Sequence, residues 1–159
     1  MLKKNLKSAI SALFGALLVV GLAGCNASGP DAPTRNVKQV TDGVEATSGL
    51  VKAVNVLIVT QGDGSAVLVG TIVNSGDASD SITGITANGI VGAISAKSLD
   101  KNLPAIFAGD SANSTAKFAG LNAKASSRVN LEITFANAEP MNLNALVRAK
   151  SEIYANVGN

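Results

Sequence analysis

From residue 49 onward the sequence predicts an all-β fold, an immunoglobulin- or cupredoxin-like β-sandwich of about 7–9 short strands. Runs rich in Val, Ile, Leu and Thr recur at a spacing of about 8–12 residues. Clusters of Gly, Asp, Asn and Ser separate the runs, and no segment repeats at a fixed period.

Leu50–Thr60 is the first expected strand, with apolar residues on both faces in its second half. Gln61-Gly62-Asp63-Gly64-Ser65 then reads as a tight turn, because glycine reaches positive φ without steric cost, and Ala66–Asn74 reads as the returning strand of a hairpin. After the loop Asn74–Asp80 the expected strands are Ser81–Ala87, Ile90–Lys97, Leu103–Phe107, Ser114–Ala119, Arg128–Phe135, Leu143–Arg148 and Glu152–Val157. Ala138–Tyr154 also reads with a helical period, so two assignments compete there. Val, Ile and Leu with Phe107, Phe118 and Phe135 supply the candidate core. This composition is compatible with a filled interior and with a lipid cavity between the sheets.

The 159 residues suffice for one domain rather than two, and they contain no His, no Trp and one Cys. Without His, neither Ser-His-Asp nor Cys-His catalysis nor an imidazole metal site is available. A single Cys cannot close an intramolecular disulfide. Lys3, Lys4 and Lys7 belong to the N-terminal leader, and the remainder carries 10 cations against 11 anions. A near-neutral chain with 3% aromatics lacks the basic stripe and stacking rings of a nucleic-acid binder.

Residues 1–24 read as a lipoprotein signal peptide: three lysines, then the uncharged, mostly apolar run Ala9–Gly24, then Cys25. That run is 16 residues long, short of the about 20 a spanning helix needs. Leu22-Ala23-Gly24-Cys25 matches the lipobox pattern Leu-Ala/Ser-Gly/Ala-Cys. Its chemistry requires a Cys nucleophile at the cleavage point and small side chains before it. Cys25 is therefore the expected lipidation site, with its acyl chains as the contact to the membrane. Residues 25–48 contain Pro30 and Pro33 and few large apolar groups, and they read as a lipidated N-terminus and flexible tether with a reach of roughly 25 Å. The later part, Asn36 to Thr47, is open to an edge strand or a short helix. Residues 49–159 form the expected sandwich.

Asp63, Asp77 and Asp80 are the weak metal candidates, since loop carboxylates suit a hard cation such as Ca²⁺. Asp is equally a standard turn residue, no EF-hand spacing is present, and no metal is assigned. Gly62-x-Gly64 lacks the strand-turn-helix context of a dinucleotide fingerprint. Glu45, Asp100, Asp110, Glu132, Glu139 and Glu152 are dispersed with nothing marking an acid/base pair. Lys117, Lys124, Arg128, Arg148 and Lys150 read as a mixed solvated face together with Glu132, Glu139 and Glu152, or else as a face toward an anionic membrane. Asn113-Ser114-Thr115 has sequon spacing, but the lipobox places the chain in a bacterium.

The stretch Ala66–Ile85, with a strand ending at Asn74-Ser75-Gly76 and a following Asp80-Ser81-Ile82-Thr83-Gly84 segment, resembles the periplasmic copper chaperones of the PCu(A)C family. The later strand Val129–Phe135 resembles their Leu-x-Leu-x-Phe strand, and actinobacterial envelope lipoproteins share the same architecture behind a lipobox. The resemblance runs from about Val51 to Val147 and implies a cupredoxin-like fold. It also implies a Cu(I) site of His and Met. Where the family carries its first ligand His, this chain has Ile90-Val91-Gly92-Ala93-Ile94-Ser95, and Met141 is its one Met after the leader. No copper ligand carries over, and no cofactor is expected. The sequence thus points to a lipid-anchored, non-catalytic binding or structural module on the extracytoplasmic face of the bacterial membrane. Its partner would be an envelope protein or a small ligand. The alternative is a degenerate copper-chaperone-like or weakly Ca²⁺-binding lipoprotein.

Overall fold

The computed structural model describes residues 42–95 and 98–158. The signal peptide, Cys25 and most of the expected tether lie outside the described residues. Among the described residues eleven strands follow one another: β1 Val44–Ser48, β2 Val51–Thr60, β3 Ala66–Asn74, β4 Asp80–Ala87, β5 Ile90–Val91, β6 Ala93–Ile94, β7 Ser98–Leu99, β8 Ala105–Ile106, β9 Ala116–Phe118, β10 Arg128–Phe135 and β11 Met141–Ala149. The all-β fold expected from the sequence is present. The strand count exceeds 7–9 because β5, β6, β7 and β8 are pieces of two residues each.

The strands join in the order β5-β4-β10-β11-β2-β3-β9-β6, with β1 on β2, β7 on β4 and β8 on β3. All pairings are antiparallel except β11 with β2, where Leu146 to Ala149 run parallel to Leu57 to Thr60. The two ends of this path, β5 and β6, are neighbours in sequence separated only by Gly92, so the sheet curls into a flattened, nearly closed barrel. Gly92 makes that corner. Its N–H donates to Ile85 O at 2.9 Å, and a Cβ at this position would fall 2.7 Å from Phe118 Cε1. The expected single strand Ile90–Lys97 is therefore broken at Gly92, since only glycine lets the chain pass the buried ring.

Alternation with period 2 places Met141, Leu143, Ala145 and Val147 of β11 in the core. The competing helical reading of Ala138–Tyr154 fails there because β11 pairs residue by residue with β10, from Met141 opposite Ile133 to Leu146 opposite Arg128. The expected last strand, Glu152–Val157, is a 3-10 turn over Glu152–Tyr154, closed by Tyr154 N–H to Ser151 O at 3.0 Å. β1 falls within the segment assigned to the tether. Val44 pairs with Val56 and Ser48 with Val51, so the sheet begins a strand earlier than residue 49.

Phe118, Leu68, Ile72, Ile85, Leu131 and Ile133 fill the centre, and Phe107 and Phe135 are buried with them. The main break in register lies in β2 between Val54 and Leu57, where Asn55 has a φ of 52° and β1 approaches through Gly43 N–H to Asn55 Oδ1 at 3.0 Å. Gly70 of β3 faces this bulge with a φ of 145°, and a Cβ there would stand 3.0 Å from Val56 Cα.

Candidate functional site

One end of the barrel is closed by polar side chains that bond to backbone rather than to one another. Asn74, at the last position of β3, is 3% exposed. Its Nδ2 donates to Ala78 O at 2.7 Å and Leu99 O at 2.9 Å, while Oδ1 accepts Gly76 N–H at 2.8 Å. Asp80, at the first position of β4, is also buried. Its Oδ1 accepts the N–H of Ser81 at 2.7 Å and of Asn137 at 3.0 Å, and Oδ2 accepts that of Ala138 at 2.9 Å. Burial pushes the Asp80 carboxyl upward, but these backbone donors outweigh it and hold the group below its ordinary value. A cleft of about 310 Å³ opens here, with Leu50, Gly76, Asp77, Ala138 and Glu139 among its walls.

The three candidate carboxylates do not meet. Asp63 sits in the β2–β3 turn, where Oδ1 accepts Ser65 N–H at 2.9 Å and Ser65 Oγ–H at 2.6 Å. The Ser65 hydroxyl, then its N–H, lower the Asp63 carboxyl below the usual range. Asp77 lies past the other end of β3, paired with Lys101. The nine residues of β3 rise about 3.3 Å each, which separates Asp63 from Asp77 by roughly 25–30 Å. One ion with ligands at about 2.3–2.6 Å cannot use both. Among the described residues no group of three or more His, Cys, Asp or Glu stands together. Asp63 and Asp80 hold turns, and a Ca²⁺ site shared by the three is ruled out by their placement.

Ion pairing accounts for further carboxylates: Glu45 with Lys52 at 3.1 Å, Asp63 with Lys117 at 3.6 Å, and Asp42 with Arg148. Asp42 also accepts the Tyr154 hydroxyl at 3.3 Å. These carboxylates face cations rather than one another, which gives no support to a two-carboxylate acid/base centre.

Ile90 to Ser95, the stretch expected from the sequence resemblance to replace a ligand His, forms β5, Gly92 and β6. Ala93 pairs with Lys117 and Ile94 with Ala116. Met141 is 3% exposed and part of the core cluster, so its thioether is not available at the surface.

No protein-family model and no curated protein matches this sequence. Solved structures do. The copper-bound PCuAC domain from PmoF2 superposes with a TM-score of 0.58 at 19% identity, covering 67% of this chain and 98% of that one. The fold is that of a PCuAC domain. The apo PCuAC domain from PmoF1 gives 0.57 at 16% identity over 67% of this chain and 99% of that one. The apo PmoF2 domain gives 0.58 at 16%, over 69% and 98%. The PCuAC resemblance read from Ala66–Ile85 and Val129–Phe135 thus holds at the level of fold.

A second cleft, of about 370 Å³, escaped the reading of the sequence. It lies between β3, the β8–β9 connection and the C-terminal turn, and it is lined by Val67, Phe107, Ala112 and Lys117 among others. Its walls come from three stretches of chain far apart in sequence, and no local motif announces that.

Proposed function

We propose that this protein is a lipid-anchored, non-catalytic binding module of the bacterial cell envelope, built on a PCuAC fold that does not carry a copper site of its own. The observation behind this reading is the pairing of a PCuAC fold with a chain that has no His and whose one Met after the leader is buried in the core. Cu(I) is held by soft and borderline ligands, and the surface presents none after Cys25. Cys25 itself is assigned to acylation by the lipobox Leu22-Ala23-Gly24-Cys25, which puts the domain on the extracytoplasmic face.

Metabolic labelling with an alkyne fatty acid tests the anchor. The full chain becomes labelled and sediments with membranes, and Cys25→Ser loses both properties. Label on Cys25→Ser equal to that on the native chain would overturn the assignment. In-cell cross-linking of the labelled protein then identifies the envelope protein it contacts.

A second reading is favoured by the copper-bound neighbour. In it, the domain assists copper handling only in a complex whose ligands come from a partner. It predicts copper in the cross-linked complex and none in the isolated chain.

A further inference from the structure

The second cleft is a break in the barrel wall. Along one edge of β3, β9 covers Ala66 and Val67 while β8 covers Thr71 and Ile72. Leu68 and Val69 have no registered partner in either strand, and Phe107 N–H bridges the opening to Gly70 O at 3.0 Å. Through this gap the cleft reaches Leu68 and Phe107, which otherwise belong to the core. Asn156 to Gly158 form part of its rim.

The lining chemistry defines what fits. Val67, Leu68, Phe107, Ala112, Ala116 and Val157 give an apolar wall, and among the described residues no carboxylate contributes and Lys117 is the one charged side chain. The Ser114 hydroxyl donates to Asn113 Oδ1 and the Thr115 hydroxyl to Ser95 Oγ, which leaves the Lys117 charge and the Asn156 amide as the polar features of the lining. Lys117 pairs with Asp63 across 3.6 Å, both side chains being more than half exposed. An exposed pair of this kind is weak and readily exchanged for another anion. At about 30 Å³ per water-sized group, 370 Å³ holds roughly a dozen heavy atoms.

We propose that this cleft binds a small amphipathic anion, an apolar chain of medium length ending in a carboxylate, with Lys117 as the counter-charge and Asp63 as the internal competitor. The proposal rests on the reading of the chain as a binding module and gives that module a ligand class.

Decanoate and its uncharged analogue decanol, titrated into residues 26–159 and followed by calorimetry and native mass spectrometry, test it. One decanoate per chain is expected, held about tenfold more tightly than decanol. Lys117→Gln brings decanoate down to the decanol level. Ala112→Phe, on an exposed stretch of the cleft wall, abolishes binding of both. Asp63→Asn keeps an acceptor for Ser65 but removes the competing charge, and it tightens decanoate several-fold. Equal affinity for decanoate and decanol in the native chain would overturn the proposal, as would no binding of decanoate at about 1 mM. Such a failure is separate from failure of the envelope reading, which Cys25 labelling decides.

Discussion

Asp80 Oδ2 accepts the N–H of Ala138 at 2.9 Å, joining residues 58 apart in the chain and fixing the start of β4 to the β10–β11 turn. Together with Asn74, which holds the β3–β4 loop and Leu99, this carboxylate organises the polar end of the barrel and its 310 Å³ cleft. The arrangement is structural in character: backbone donors occupy both carboxylate oxygens, leaving little for a ligand.

Asp80→Ala leaves the N–H groups of Ser81, Asn137 and Ala138 without their acceptor. The expected cost is roughly 2–3 kcal/mol, because unmet buried donors cost more than a made bond contributes. Urea unfolding should show a lower midpoint with an unchanged slope. Asp80→Asn keeps one acceptor oxygen and should fall between.

The same carboxylate confers acid sensitivity. A carboxyl held below its ordinary value contributes stability that is present above the unfolded pKa, about 3.9, and is lost as pH falls through the folded one. Asp63, held down first by the Ser65 hydroxyl, and Asp42, held down first by Arg148, act in the same direction. Unfolding free energy should therefore fall as the solution is acidified below about pH 4, and Asp80→Asn should flatten that decline without removing it.

Gly92→Ala places a methyl group against the Phe118 ring, 2.7 Å from Cε1, at the corner that closes the barrel. Overpacking of this kind costs about 1–3 kcal/mol. Phe118→Leu opens room for the methyl group, so a double-mutant cycle should show that Gly92→Ala costs less in the Phe118→Leu background than in the native chain.

Much of the fold was legible because binary patterning is local. β3 and β10 match the expected Ala66–Asn74 and Arg128–Phe135 residue for residue, and the burial of Phe107, Phe118 and Phe135 follows from the same patterning. Tertiary contacts decide the structure where local signals are ambiguous or overridden. Gly92 breaks a strand because Phe118, remote in sequence, crowds it. Leu143–Arg148 lies in a strand as expected, and residue-by-residue pairing of β11 with β10 selects that reading over the helical period of Ala138–Tyr154. β1, most of it in the stretch open to an edge strand or a short helix, has few large apolar residues, and its pairing with β2 decides for the strand. The cleft at Lys117 exists only because β8 and β9 stop short of each other along β3.

The proposal that a PCuAC fold here works without a copper site of its own can be tested on copper itself. The decisive experiment is anaerobic titration of Cu(I) into residues 26–159 in competition with a chromophoric Cu(I) chelator. The chelator is expected to keep all the copper, with the native chain and with Met141→Leu alike. One copper retained per native chain against the chelator would contradict it.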